Sequence, residues 1–199
     1  MTENRYQLIF VIDPMCSWCW GFHPIIKEIA QNHTQHCKSS LVVGGLRTKG
    51  QMLWNDQNRD YLIQNWKAVQ QQTNQPFNFS LFNQTSFDYD TYPACKAIVT
   101  VRELWGEEAA FEYLEKIQTA FYLNNEETTS LEVLLSYVEN QEAFLKFYKS
   151  ERAELLMQHD FSKARSMGAN AFPSTVKIDE QGHMCCIQGY RTLEEILAL

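Results

Sequence analysis

Residues 13–22 read DPMCSWCWGF, with Cys16 and Cys19 three positions apart. Three chemistries are open to such a pair: a redox centre, half of a metal site, or two core thiols. Residues three apart on a helix share a face, so each sulfur can reach what the other has captured. At a helix start, unpaired amide N–H groups and the helix dipole favour thiolate over thiol, and thiolate is the species that attacks disulfides. This reading makes Cys16 an exposed nucleophile on the first turn and Cys19 a more buried resolving thiol. A zinc site needs about four ligands. Cys185 and Cys186 are adjacent in sequence and on a strand point to opposite faces, so they make a poor second pair and no metal is expected. Those two, with Cys37 and Cys95, are read as ordinary semi-buried thiols.

Several neighbours have both a chemical and a plain reading. Asp13 is either a buried proton acceptor behind the cysteines or a partner for backbone N–H groups at the turn into the helix. His23, four residues after Cys19, shares a helix face with it; a surface position beside Lys27 is favoured over a proton shuttle. Trp18, Trp20 and Phe22 flank the nucleophile. Trp20 keeps period with Ile25, Ile26 and Ile29 and is expected in the core, leaving Trp18 as the candidate substrate-contact surface.

The elements that must position these residues follow from pattern. YQLIFVI at 6–12 is a near-continuous apolar run, as expected of a strand buried on both faces. Asp13-Pro14 ends it, because the residue before proline is pushed from helical angles. A helix is expected from Ser17 to about Gln31, with Pro24 kinking it. SLVVGGL at 40–46 reads as a second strand whose glycines mark an exit or a close backbone approach. From about 50 to 167 the chain reads as mostly helical. QMLWNDQNRDYLIQNWKAVQQQ carries Leu53, Trp54, Tyr61, Ile63 and Trp66, and the aromatic stretch at 73–92 is an ordered loop, either core or one wall of a groove. Helices are expected at Pro93–Trp105, stopped by Gly106, and at Glu107–Tyr122. Thr129-x-x-Glu132 suggests a capping box, Asn140 a cap, and Gly168 the end of a helix over 151–167. FPSTVKI at 172–178 and MCCIQ at 184–188 close the chain as strands, before a helix capped by Thr192-x-x-Glu195.

Composition narrows the function classes. The chain has 199 residues, 45% hydrophobic and 21% charged, with 17 basic against 24 acidic residues and a net charge of -7. A polyanion partner such as nucleic acid is disfavoured. The longest apolar runs are strand-sized, far short of a membrane span, so no membrane partner is expected. The opening MTENRYQLIFVIDP has no basic start and no small-residue cleavage site, so a cytoplasmic location is expected. In that compartment most of the six cysteines are expected as thiols, and a close pair reads as catalytic or metal-binding.

DPMCSWCWGF, YPACKA at 92–97, GANAFPST at 168–175 and IQGYRTLEEIL at 187–197 together resemble the thioredoxin superfamily, in its DsbA-like branch with FrnE-like, cytoplasmic predicted disulfide isomerases. The resemblance spans nearly the whole chain. It implies an α/β thioredoxin-like fold, β-α-β … β-β-α, with a large helical insertion. Residues 1–50 and 168–199 would form the thioredoxin-like domain and 51–167 the inserted helical subdomain. Pro24 matches the family's proline five residues after the second cysteine. The family's cis-proline loop falls on Phe172-Pro173, implying a cis Pro173 and a Phe172 backbone offered to substrate. Implied partners are protein or peptide thiols and disulfides, with glutathione a further candidate, and no cofactor is called for. Trp18 stands where periplasmic DsbA proteins usually carry histidine, so strong oxidase activity is not implied. Two other activities fit less well: a glutathione-dependent transferase or isomerase of the kappa or 2-hydroxychromene-2-carboxylate type, whose members usually have serine at the first cysteine, and a non-enzymatic holdase.

Overall fold

In the computed structural model, residues 6–35 and 37–199 are described. Strand β1 (Tyr6–Ile12) leads into helix α1 (Ser17–Asn32) and strand β2 (Cys37–Val43). Helices α2 (Asp56–Thr73), α3 (Tyr92–Tyr122), α4 (Leu131–Ser136), α5 (Gln141–Tyr148) and α6 (Glu151–Ser166) follow, with one 3₁₀ turn at Phe79–Asn83. The chain closes with β3 (Ser174–Ile178), β4 (Met184–Gln188) and α7 (Leu193–Leu197). The four strands order as β2-β1-β3-β4. β1 pairs parallel with β2 and antiparallel with β3, and β4 is antiparallel to β3.

β1 is buried on both faces, as its apolar run requires. Leu8, Phe10 and Ile12 point into a large core with α1 and α3, while Ile9 and Val11 meet Val42, Ala164, Met167 and Val176 on the opposite side. The sheet is thus sandwiched between α1 and α3 on one face and α6 on the other.

α1 runs unbroken through Pro24. Proline at that position leaves the carbonyl four residues back without its helical donor. That carbonyl, Trp20 O, instead accepts from the Gln75 side-chain amide at 3.0 Å. The segment after α2 therefore supplies the hydrogen bond that the helix lost. The Trp20 indole donates to Pro76 O at 2.9 Å and its ring stacks on Tyr122, in the core as expected.

β2 is an edge strand, and unpaired edge groups invite association with other chains. Here charged side chains cover them. Glu107 accepts from Leu41 N (3.0 Å), Asp160 accepts from Val43 N (3.0 Å), and Arg102 donates to Leu41 O (2.7 Å) while making a two-pronged ion pair with Asp160 at 2.8 and 2.9 Å. These residues sit on α3 and α6, so the helical segment is fastened to the sheet at this edge. Burial pushes the Glu107 carboxyl up, partly offset by the Leu41 amide and Arg102.

Some local expectations shift. β2 starts at Cys37 and ends before the glycines, because Gly45 leaves the strand at a φ of 69°. β3 begins at Ser174, after the proline. α2 begins only at Asp56, because the Asn55 side chain caps it by accepting from Asn58 N. Its buried face is Leu62, Trp66 and Val69, while Leu53 and Tyr61 are exposed. The Thr129–Glu132 capping box does not form: Ser130 occupies the cap position, and the Thr129 hydroxyl donates to Glu127. The Thr192–Glu195 box does form, with both of its hydrogen bonds present. Gly106, at φ 91°, divides α3 into the two expected helices, which continue across it as one kinked element. The aromatics of 77–89 are core: Phe77, Phe79 and Phe82 pack around Trp66, and Phe87 and Tyr89 pack on Phe121.

Candidate active site

β1 delivers the chain to Asp13, whose side chain builds the turn that aims the cysteines. The carboxylate is fully buried. Oδ1 accepts from Met15 N at 2.9 Å and Oδ2 from Leu46 N at 2.6 Å. It thereby ties the start of α1 to the loop after β2. Burial pushes the Asp13 carboxyl up, against the lowering effect of these hydrogen bonds. The Cys95 thiol, fully buried on α3, points at Asp13 Oδ2 from 3.5 Å. Tyr89 holds the same turn from another side, donating to Met15 O at 2.6 Å. Of the two readings of Asp13, the backbone-satisfying one is visible directly. The carboxyl also lies close enough to Cys19 to raise its thiol.

Cys16 occupies the N-cap of α1, one position before the first helical turn. Its sulfur makes no capping bond, and the thiol donates instead to Phe172 O at 3.4 Å. Cys16 is only 6% exposed, against 1% for Cys19. Cys16 is the less buried of the two sulfurs, but it is not exposed as its position at a helix start suggested, because the loop before β3 lies over it. Cys19 sits one turn on, accepting the Asp13 backbone N–H at 3.5 Å. Burial first, and then the neighbouring Cys16 sulfur, push the Cys19 thiol well up. Both cysteines are free thiols.

The Phe172–Pro173 peptide bond is cis, and it presents Phe172 O to Cys16. Pro173 O accepts from Gly189 N at 2.8 Å, fixing the loop to the end of β4. The Phe172 ring lies on Gly44: a Cβ there would fall 2.0 Å from the ring, so only glycine fits beneath this loop. Trp18, half-buried, meets Tyr190 with ring centroids 6.4 Å apart. Trp18, Gln72, Phe172, Gly189 and Tyr190 line an open groove of about 380 Å³.

The structure therefore brings Cys16, Cys19, Trp18, Phe172 and Pro173 to one end of the sheet. Phe22 is not part of that surface: it is fully buried against Phe10 and Tyr190. His23 also departs from its expected surface position. It is buried, 6.2 Å from the Trp20 ring, and burial lowers its imidazole to about 4. The Lys27–Glu115 ion pair lies over it, an α1–α3 contact that helical periodicity alone does not reveal. Gln72, Tyr190 and Cys95 escaped the sequence reading as site residues. Tyr190 lies in the IQGYRT stretch that carried the resemblance, but nothing in the pattern says that α2 sends Gln72 to the groove. Cys37 and Cys95 are buried, Cys186 half-buried and Cys185 exposed. Among the described residues no three His, Cys, Asp or Glu side chains form a metal-binding group, and no helix is long and apolar enough to cross a membrane.

Known proteins share this fold. The structure of a protein from Nitrosomonas europaea, described as a candidate protein disulfide isomerase, superposes with a TM-score of 0.87 at 28% identity, over 98% of this chain and 95% of that one. The cytosolic disulfide reductase DsbM from Pseudomonas aeruginosa, solved also with GSH, superposes with a TM-score of 0.75 at 24% identity, over 92% and 89% of the two chains. Among curated proteins, the ClpXP adapter protein SpxH of Halalkalibacterium halodurans is 23% identical over 192 residues, covering 88% of this chain and 61% of that protein. The chain spans about three fifths of the length of the first such relatives, 61% and 58%. A thioredoxin family model matches residues 9–197, nearly the full length and both halves of the site. With its sheet order, its cis-proline loop and its cysteine pair at the start of α1, the chain belongs to the thioredoxin family.

Proposed function

We propose that this chain is a cytoplasmic thiol–disulfide oxidoreductase of the reductase or isomerase type, acting on protein or peptide disulfides through Cys16 and Cys19. The observation that carries this reading is the pair itself: two sulfurs in mutual reach at a helix start, the outer one beneath Phe172 O and the inner one with its thiol pushed well up. The Cys16 thiolate attacks one sulfur of a substrate disulfide. A Cys16–substrate disulfide forms, the substrate's S–S bond breaks, and its second sulfur leaves as a thiolate that takes up a proton. Cys19 then gives up its proton and attacks Cys16 Sγ, releasing the first substrate sulfur and leaving a Cys16–Cys19 disulfide. An external dithiol, or two glutathione molecules, returns that disulfide to the dithiol. Phe172 and Pro173 hold the substrate backbone across Cys16, and Trp18 supplies apolar contact beside it. Residues 51–167 act as the helical insertion that closes over the 1–50 and 168–199 core.

Trp18 between the cysteines offers no cation to stabilise a thiolate, which favours reduction or isomerisation over strong oxidation. The presence of Cys16, and not serine, favours disulfide exchange over glutathione-transferase chemistry. The test is insulin reduction with glutathione or dithiothreitol as electron donor. Accelerated precipitation of the reduced B chain is expected. A rate equal to that of the donor alone, with saturable glutathione binding in its place, would favour the transferase reading.

A further inference from the structure

Cys95 is fully buried on the first turn of α3, and disulfide exchange through Cys16 and Cys19 does not use it. Its sulfur nonetheless lies behind the redox pair. The thiol donates to Asp13 Oδ2 at 3.5 Å, across 82 residues of sequence. Asp13 in turn donates its backbone N–H to Cys19 Sγ at 3.5 Å. Asp13 thus touches both sulfurs, one through its carboxylate and one through its backbone.

The Asp13 carboxylate is fully buried and has no ion-pair partner among the described residues. A buried carboxylate without a cation keeps its charge only through hydrogen bonds. Met15 N donates to Oδ1 at 2.9 Å and Leu46 N to Oδ2 at 2.6 Å, and the Thr91 hydroxyl faces the same group. The Cys95 thiol completes this set. Burial first, and then the Asp13 charge, push the Cys95 thiol well up, toward the form that donates. A thiol is a weak donor to neutral acceptors, but a charged acceptor strengthens the bond.

A carboxylate fixed here opposes negative charge on the cysteine pair. Burial, then the Cys16 sulfur, and with them Asp13, push the Cys19 thiol up. The disulfide is neutral, whereas the dithiol carries charge whenever one sulfur ionises. The Asp13 charge therefore destabilises the reduced state and leaves the disulfide unaffected. A couple whose reduced form is destabilised is the stronger reductant. The other titratable groups facing Asp13 are Tyr89, before α3, and Tyr122, on α3, with Arg47 over the Tyr89 ring. Burial pushes both tyrosines up, so neither ionises near neutrality, and the cysteines are the groups that respond to Asp13.

We infer, given the reading of Cys16 and Cys19 as a redox couple, that Cys95 is a positioning residue for that couple: its thiol holds the Asp13 carboxylate behind Cys19 and so makes the pair a stronger reductant.

Glutathione redox titration of the full chain at pH 7 tests this by comparing wild type with Cys95→Ala and Cys95→Ser. The two variants remove the same sulfur, and only serine keeps a donor toward Asp13. Cys95→Ala is expected to shift the equilibrium toward the dithiol by about threefold, or ~14 mV for a two-electron couple. Cys95→Ser is expected to restore the wild-type potential. The gap between Cys95→Ala and wild type should narrow as pH rises, because losing a donor raises the Asp13 carboxyl and its charge returns above that raised value. A purely structural role would lower the urea midpoint and leave the potential in place. Equal potentials in wild type and Cys95→Ala, or an equal shift in Cys95→Ser, would overturn the inference and leave the redox couple standing. A wild-type protein in which Cys16 and Cys19 do not oxidise together would instead refute the couple itself. Should Cys95→Ala not fold, Cys95→Val and Cys95→Thr, alike in shape and differing in the hydroxyl, make the same comparison.

Discussion

Cys19→Ser is expected to stop turnover at a covalent intermediate, and Cys16→Ser to prevent that intermediate from forming. Both follow from the unequal surroundings of the two sulfurs. Cys16 sits at the N-cap with its sulfur facing the cis-proline loop, whereas Cys19 is buried beneath it with Asp13 N–H on its sulfur. In the mechanism we propose, Cys16 meets the substrate and Cys19 releases it. With serine at position 19, a disulfide substrate or oxidised glutathione should remain attached to Cys16, visible as a mass gain in the intact protein that dithiothreitol reverses. With serine at position 16, insulin reduction should fall by about a thousandfold or more, the scale expected when a nucleophile is removed. Wild-type turnover in Cys16→Ser, or attachment of the substrate to Cys19, would contradict the assignment of roles.

The second large effect concerns the edge of the sheet. Arg102→Ala is expected to destabilise the fold by about 3–5 kcal/mol. The Asp160 side chain is 5% exposed and loses its only ion-pair partner among the described residues, while Leu41 O loses a charged donor. Asp160→Ala should cost less, about 1–3 kcal/mol, because the Arg102 side chain at 18% exposure reaches water more readily. Its main loss is the bond to Val43 N. Urea unfolding at an unchanged slope reads these values as shifts in midpoint. A cost under about 1 kcal/mol for Arg102→Ala would place the pair with surface ion pairs and remove its role in fastening α3 and α6 to β2. Because the pair also covers an open strand edge, the Arg102 variant should be the more prone to associate.

The strands and the cysteine pair were legible because their signals are local. LIFVI is apolar at every position, and a strand covered on both faces needs nothing subtler. C-x-x-C after such a strand and before a helical pattern carries its chemistry in its spacing. Gly106, Asn140, Gly168 and Thr192 mark element ends through backbone geometry or capping, which depends on a few adjacent residues. What stayed hidden depends on contacts between distant segments. His23 looks like a surface residue until α3 is laid over α1. Gln75 looks like an ordinary loop glutamine until the carbonyl released by Pro24 needs a donor. Gly44 reads as a strand exit, and only the folded chain shows that the Phe172 ring occupies the place of its side chain. Cys16 illustrates both cases: the helix start that places it is written in ten residues, and the loop that shelters it comes from 156 residues further along.

The central claim, that Cys16 and Cys19 form one reversible redox couple, is most directly tested by equilibrating the protein at graded ratios of reduced to oxidised glutathione and alkylating the remaining thiols. Peptide mass spectrometry then follows each cysteine separately. With alkylation carried out after denaturation, the account predicts that Cys16 and Cys19 lose label together in a single two-electron transition, about 30 mV per tenfold change in the couple's ratio, and that Cys37 and Cys95 keep their label at every ratio. Oxidation of Cys16 solely as a glutathione adduct, with Cys19 remaining a thiol at every ratio, would contradict it.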